Sequence, residues 1–368
     1  MQQLEIHSDY EGPMNNCGGD LAWQTYKLLV SESTKAKYPE DMCKRYDGDF
    51  DDGKYFYSIN KSERWATGTW PSLSLAIAAV DGKTDDDLIE LAGKTVQLAP
   101  GVEKMLTYLV ETFGPEHVHF ETSSYPAAPL MTAKEFGIPF YNVAANGIQR
   151  YGKKDITEEI KTRSPMGVLS KNKAEVERFL QDYVPVCEKL GSYYVQPLNS
   201  QSLSPEQLED IRSLENQYAE LFPKVKDNAT REALEGMFLT QEYDMGSHRK
   251  VDAMKRFGAK RATTVYGGDG IVDAMPIDWA NFGFSINMKD KHALSLSKMN
   301  FATADMSLMI PMYESIRNGE FGSSLQTKLG SEKFAVFTPK EIRRSIEVVV
   351  KENGKMKDQI KGCYKPRI

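Results

Sequence analysis

Two acidic residues, Asp9 and Glu11, stand directly after a short apolar segment near the start of the chain. Residues 4–8 have the composition of a strand, and Gly12-Pro13 ends regular structure just beyond the acidic pair. Carboxylates at the carboxyl end of a strand can ligate a metal ion, attack as nucleophiles or transfer protons. This segment is therefore the first candidate for chemistry.

Two further polar clusters follow later strand-like segments. The hydroxyl cluster contains Thr122 and Ser123, and the acidic cluster contains Asp269 and Asp273. In open α/β sheets, ligands bind beyond the carboxyl ends of the strands. Convergent carboxylates repel one another unless a cation neutralises them, and Mg²⁺ prefers oxygen ligands. The sequence therefore predicts a Mg²⁺ site built by separate strand ends.

Strand-like and helix-like segments alternate along the chain, which predicts an α/β fold with a parallel sheet. We expect strands over 4–8, 118–120, 263–266, 282–288 and 334–337. We expect helices over 102–110, 205–221, 250–257 and 339–361, and one long segment over 293–313 with Met and Leu on one side.

The chain of 368 residues is too long for one small core. Two long stretches separate the polar clusters, and each has apolar residues at helical spacing. We expect residues 15–95 and the helix-rich residues 136–245 to be insertions. The core would then comprise residues 1–14, 96–135 and 246–368.

Four segments, taken in order, resemble the motifs of the haloacid-dehalogenase superfamily. The stretch from Asp9 to Pro13 resembles its first motif, D-x-D-G-[TV], and the hydroxyl after residues 118–120 resembles the second. Lys250-Val251-Asp252-Ala253-Met254 resembles the third, K-x-x-A, and residues 268–273 resemble the fourth, G-D-x-x-x-D. The D-Y-E-G-P form is most similar to a group described as energy-converting hydrogenase subunit R-like.

The resemblance implies a Rossmann-like parallel-sheet core with two cap insertions and a Mg²⁺-dependent phosphatase or phosphotransferase. It implies that Asp9 attacks phosphorus to form an aspartyl-phosphate, and that the substrate is a small phosphorylated metabolite. Lys250 and the hydroxyl of Thr122 or Ser123 would bind the phosphate. The implied metal contacts are the Asp9 carboxylate, the Glu11 main-chain carbonyl and Asp269, with Asp273 acting through water or orienting Lys250.

Glu11 departs from the phosphatase pattern, in which this position is an Asp that serves as general acid and base. The extra methylene moves the carboxyl by roughly a bond length, and a displacement of about 1 Å can cost about 10²-fold in rate. Glu11 remains the candidate catalytic acid and base, acting from a different rotamer. A catalytically weak binding or regulatory subunit with the same fold is therefore the alternative function. A dehalogenase or C–P bond hydrolase would also use Asp9.

The formal net charge of −6 argues against a surface built for nucleic acid. No apolar run reaches the roughly 20 residues of a membrane helix, and the start of the sequence lacks the pattern of a secretory signal. Four dispersed cysteines indicate neither a zinc site nor a disulfide framework. We expect a cytoplasmic protein, with structural histidines and a solvated basic face on the last helix; no feature indicates its oligomeric state.

Overall fold

The computed structural model describes residues 3–15, 21–60, 69–146, 156–199, 202–239, 245–319 and 334–362. These residues contain a seven-stranded sheet in the order β3-β2-β1-β4-β5-β6-β7. The strands are β1 (Glu5–Ser8), β2 (Val118–Glu121), β3 (Val143–Ala144), β4 (Thr264–Gly268), β5 (Phe282–Ile286), β6 (Asn300–Thr303) and β7 (Phe334–Phe337).

Strands β1 to β6 are parallel, and β7 pairs antiparallel with β6 at the edge of the sheet. The α/β class is confirmed, and the expected parallel sheet is correct for all strands except this last one. An antiparallel edge strand on an otherwise parallel sheet is common in doubly wound folds.

Helices cover the sheet and form the segments between its strands. In chain order they are α1 (Leu21–Leu29), α2 (Glu32–Lys37), α3 (Glu40–Arg45), α4 (Gly53–Asn60), α5 (Thr69–Val80), α6 (Asp85–Thr95), α7 (Val102–Phe113), α8 (Ala127–Glu135), α9 (Ile156–Arg163), α10 (Met166–Leu169), α11 (Lys173–Leu198), α12 (Pro205–Leu221), α13 (Asn228–Phe238), α14 (Ser247–Arg256), α15 (Ala274–Trp279), α16 (Lys291–Leu296), α17 (Ile310–Arg317), α18 (Pro339–Arg344) and α19 (Ile346–Gly362). A π-helical segment, Tyr46–Asp52, joins α3 to α4. No helix among the described residues is both long and apolar enough to cross a bilayer.

Strand β1 lies where the order of strand addition reverses direction across the sheet. It pairs with β2 on one side and with β4 on the other, so the chain builds one half of the sheet before it builds the second half. Such a switch point leaves a crevice at the carboxyl ends of the two flanking strands. The residues that follow β1, β2 and β4 therefore meet at one place.

The helices of residues 21–95 and 156–239 pack on each other. The long helix α11 lies against α4, α5 and α12, and the hydroxyls of Tyr46 and Tyr183 are 2.8 Å apart in the buried contact. On the sheet side, the Tyr55 hydroxyl lies 3.4 Å from that of Ser247 at the start of α14. Both helical segments thus belong to one body with the sheet.

The structure differs from the sequence-based elements at three places. The segment 293–313 is not continuous but contains the end of α16, strand β6 and the start of α17, because Phe301 and its neighbours enter the sheet as a fully buried strand. The expected helix over 339–361 breaks at Ser345. Strand β3 was not expected, since two residues are too few to show a period.

Candidate active site

Asp9 lies at the switch point, immediately after β1. Its main-chain N–H donates to the carbonyl of Gly267, 2.9 Å away, which continues the pairing of β1 with β4. The N–H of Tyr10 donates to Asp9 Oδ1 at 2.8 Å. The sheet and the turn after it therefore fix both the backbone and the carboxylate of this residue.

Lys250 brings a positive charge to the same carboxylate from helix α14. Its ammonium lies 3.1 Å from Asp9 Oδ1 and 2.7 Å from Asp273 Oδ1, and the side chain is fully buried. Burial acts to lower the pKa of Lys250, but the carboxylates of Asp273 and Asp9 outweigh it and hold the pKa above its usual value. Lys250 therefore remains a cation inside the site.

Asp273 is held by four donors. Its Oδ1 accepts from Lys250 and from the Tyr266 hydroxyl, 2.7 Å away, and its Oδ2 accepts from the N–H groups of Asp269 and Gly270 at 2.9 and 3.0 Å. The contact with Lys250 is the one that the predicted orienting role of Asp273 requires. The contacts of Oδ2 also hold the turn that carries Asp269.

Asp269 completes an acidic cluster in which one carboxylate oxygen each from Asp9, Asp269 and Asp273 lies within 4.8 Å of the others. Burial first, and the nearby Asp273 carboxylate second, raise the pKa of Asp9 well above its ordinary value. Burial also raises the pKa of Asp269, against the opposing charge of Lys357. Hard oxygen donors crowded in this way suit a divalent cation.

Gly12 is required by the close approach of the first loop to this cluster. Its φ is +86°, and a Cβ built on it would lie 2.2 Å from Asp269 Oδ2. A larger residue would meet both the unfavourable backbone conformation and the carboxylate. The glycine after the acidic pair thus lets the loop pass directly over Asp269.

Lys357, on α19, corrects the expectation that the basic end of the chain is only a solvated helix face. Its ammonium lies 2.7 Å from Asp269 Oδ2 and 3.4 Å from the Asp269 carbonyl oxygen. No motif in the sequence marks this residue. A second lysine therefore joins Lys250 in the cluster.

Thr122 and Ser123 follow β2, the strand that pairs with β1. Thr122 is fully buried and its hydroxyl accepts from the N–H of Ser124 at 3.2 Å, whereas Ser123 is partly exposed. The Glu11 carboxylate accepts from the Ser124 hydroxyl and from the N–H of Leu21, both at 2.8 Å. Glu11 thus joins the first loop to the hydroxyl loop and to the start of α1.

Buried ionisable groups also lie below the site, between β1 and β2. His7 Nδ1 is 2.6 Å from Glu121 Oε1, and the rings of His7 and His119 stack with centroids 4.3 Å apart. Burial lowers the pKa of His7 to about 3 and that of His119 to about 4, and raises that of Glu121 to about 8. Near neutral pH the pair is therefore a protonated Glu121 that donates to a neutral His7.

The two stacked histidines and Glu5 could also be considered as metal ligands, since one donor atom of each lies within 4.8 Å of the others. Their ring planes are only 9° from parallel, so the ring nitrogen lone pairs do not converge on one point. His119 Nε2 is already 3.1 Å from Glu5 Oε2. This geometry supports the expected structural role of these histidines.

Glu121→Gln is expected to change the pH dependence of stability. The raised pKa means that Glu121 stabilises the fold fully below about 4.5 and loses this contribution as the pH rises towards 8. The glutamine amide can donate to His7 without titrating. The free energy of unfolding, measured with urea, should therefore fall less between pH 5 and pH 8 for the variant than for the native protein. The expected difference is on the order of 2–4 kcal/mol.

Glu111→Gln, at an exposed position of α7, is the matched control and should retain the native decline between pH 5 and pH 8. An equal decline in Glu121→Gln and in the native protein would show that Glu121 is ionised in the fold. The titration of His7 is common to both proteins and does not enter this difference.

No protein-family model and no curated protein sequence matches this chain. Among solved structures it is similar to gene product AF1437 from Archaeoglobus fulgidus, with a TM-score of 0.62 and 14% identity. The match covers 98% of each chain. At this identity the similarity concerns the fold alone: the two chains share an α/β architecture along almost their whole length.

Proposed function

We propose that the protein is a Mg²⁺-dependent phosphatase or phosphotransferase of the haloacid-dehalogenase type, acting on a small phosphorylated metabolite. The observation that carries the proposal is the Asp9 carboxylate at the switch point, with the Lys250 ammonium 3.1 Å away and Asp269 beside it. Three of the four motif-like segments, which are far apart in sequence, supply neighbouring charged side chains in the fold, and the segment after β2 contacts Glu11 through Ser124.

In the proposed reaction an Asp9 carboxylate oxygen attacks phosphorus, the bond to the leaving-group oxygen breaks, and Glu11, from a different side-chain rotamer, donates the proton that this oxygen takes up. Water then cleaves the resulting aspartyl-phosphate, or a second acceptor takes the phosphoryl group. Lys250 neutralises charge on the transferred group, and Asp273 and Tyr266 keep its ammonium in place. Ser123, the more exposed hydroxyl, and Thr122 are proposed to hold the phosphate oxygens.

The donor set fits Mg²⁺ through the carboxylates of Asp9 and Asp269. When bound, the ion would neutralise phosphate charge and favour the ionised form of Asp9, opposing the effect of burial on its pKa. Asp273 would contact the ion only through water or would orient Lys250, because both of its carboxylate oxygens already accept hydrogen bonds. Glu11 is proposed to contribute its main-chain carbonyl.

The insertions 15–95 and 136–245 are proposed to close over the site as caps. The contact between Tyr55 and Ser247 supports this, because Ser247 begins the helix that carries Lys250. The hydrogen bond from the Leu21 N–H to Glu11 supports it from the opposite side. Caps of this size would exclude water and select the substrate.

A binding or regulatory subunit is the second candidate, and Glu11 is the observation that favours it. A general acid must reach the leaving group, but Glu11 Oε1 accepts two hydrogen bonds that hold loops together. In such a subunit the fold and the acidic cluster would bind a ligand without turning it over.

The deciding experiment measures phosphate release from a panel of phosphorylated metabolites with Mg²⁺ and with excess chelator. We expect phosphate release in the presence of Mg²⁺ and none with excess chelator. We also expect beryllium fluoride to form an adduct on Asp9 in the absence of substrate. Glu11→Gln then separates the candidates: a general acid and base is worth about 10² to 10⁴ in rate. If no phosphate is released and no adduct forms on Asp9, we reject the enzyme and adopt the binding subunit.

A further inference from the structure

Lys357 contacts the acidic cluster but has no role in the proposed reaction. Its ammonium contacts both the carboxylate and the carbonyl oxygen of Asp269, at 2.7 and 3.4 Å. The Lys357 side chain is 24% exposed and that of Asp269 is 13% exposed, so the pair lies largely out of water. Two acceptors on one residue define the position of this ammonium more closely than one surface ion pair would.

The helix that carries Lys357 is anchored one turn earlier. Asn353 is fully buried, and its amide group donates to the carbonyl of Met288 and to Asn300 Oδ1. Asn300 also accepts from the Ser285 hydroxyl, which extends the network to β5. Residues four apart lie on the same face of a helix. The buried network therefore directs Lys357 towards the end of β4.

The same helix provides a lysine with the opposite environment. Lys355 pairs with Glu352 on the solvent side, where its side chain is 54% exposed. The two lysines are two residues apart and differ in what they face. The contact of Lys357 with Asp269 is thus a property of its position on the helix rather than of the basic composition of this segment.

The charges of the cluster are close to balanced without any ion. Three carboxylates, from Asp9, Asp269 and Asp273, face the ammonium groups of Lys250 and Lys357, which leaves a formal charge of −1. A cation that binds at Asp269 must either displace Lys357 or tolerate its charge. Repulsion between a divalent ion and an ammonium about 5 Å away remains significant even with the screening of water.

We propose that Lys357 is an internal counter-ion of the site, which neutralises Asp269 before a cation binds and competes with that cation for the Asp269 carboxylate. The inference rests on the proposed function, because it assigns the cation to Asp9 and Asp269. It makes Lys357 a positioning residue that weakens and tunes cation binding while it keeps the acidic cluster stable in the absence of metal.

The test is titration of the full chain with MnCl₂ and no other ligand. Binding is measured by calorimetry and by the electron paramagnetic resonance signal of free Mn²⁺. Lys357→Met should lower the Kd for Mn²⁺ by at least about tenfold, since one repelling charge is removed. Lys357→Arg keeps the charge and should stay near the native value. Lys355→Met should leave the Kd within about twofold, and Asp269→Asn should weaken binding in every background.

An unchanged or raised Kd in Lys357→Met would overturn the proposal, as would the absence of measurable Mn²⁺ binding in both the native chain and this variant. An unchanged Kd with weaker binding of orthovanadate would instead make Lys357 a phosphate ligand. The Kd and the phosphate-release assay are independent: release with no effect of Lys357→Met rejects only the counter-ion, and tighter Mn²⁺ binding without release rejects only the enzyme.

Discussion

Asp9→Asn is expected to abolish phosphate release while the chain still folds. An amide has nearly the shape of a carboxylate but is a far poorer nucleophile, and loss of a catalytic nucleophile reduces kcat by at least about 10⁴-fold. The amide oxygen of Asn can still accept from the N–H of Tyr10, and Asp273 remains as the counter-charge of Lys250, so we expect the fold to form. The measurement is kcat on the best substrate of the panel, together with urea unfolding of the same preparation.

The matched control is Asp252→Asn, the same substitution at an exposed position of α14, two residues from Lys250. It should keep native turnover and stability. Turnover that survives in Asp9→Asn would exclude the aspartyl-phosphate route even if Mg²⁺ dependence were retained. Unfolding of Asp9→Asn would be a different outcome, and would mean that Lys250 requires both carboxylates for the fold to form.

The acidic cluster could be anticipated from the sequence because its members follow apolar strand segments. Asp9 and Asp269 come directly after buried strands, as Thr122 of the hydroxyl cluster does, and parallel strands place such residues at one edge of a sheet. The spacing between Lys250 and Asp273 was informative only through the resemblance, since a lysine on a helix is usually solvated.

Contacts made by tertiary packing could not be anticipated in the same way. Lys357 lies on a helix with many lysines, and only the buried contacts of Asn353 decide which of them faces Asp269. Strand β6 was hidden because a short buried strand and a buried helix segment have similar composition. The Glu121 and His7 pair likewise depends on strand register, since it joins β1 to β2.

Lys250→Met is expected to lower stability strongly as well as to abolish turnover. The native ammonium is fully buried between Asp9 and Asp273, and its removal leaves two carboxylates in a largely dry site without a counter-charge. Removing one partner of a buried ion pair typically costs about 3–5 kcal/mol. Urea unfolding at pH 7.5 measures this loss, and Lys255→Met, at an exposed position of the same helix, provides the matched control.

The physical cause of that loss can be tested by pH and by a second substitution. Without Lys250 the pKa of Asp9, which burial already raises, rises further in the folded state, so the fold of the variant gains stability as the pH falls towards 5 and Asp9 takes up a proton. Lys250→Met combined with Asp9→Asn removes one of the uncompensated charges and should recover a substantial part of the stability at pH 7.5. Equal losses at pH 5 and pH 7.5, with no recovery in the double variant, would attribute the effect to lost packing of the lysine side chain. Recovery would show that the charge of Lys250 is what allows the acidic residues of β1 and of the turn after β4 to be buried together.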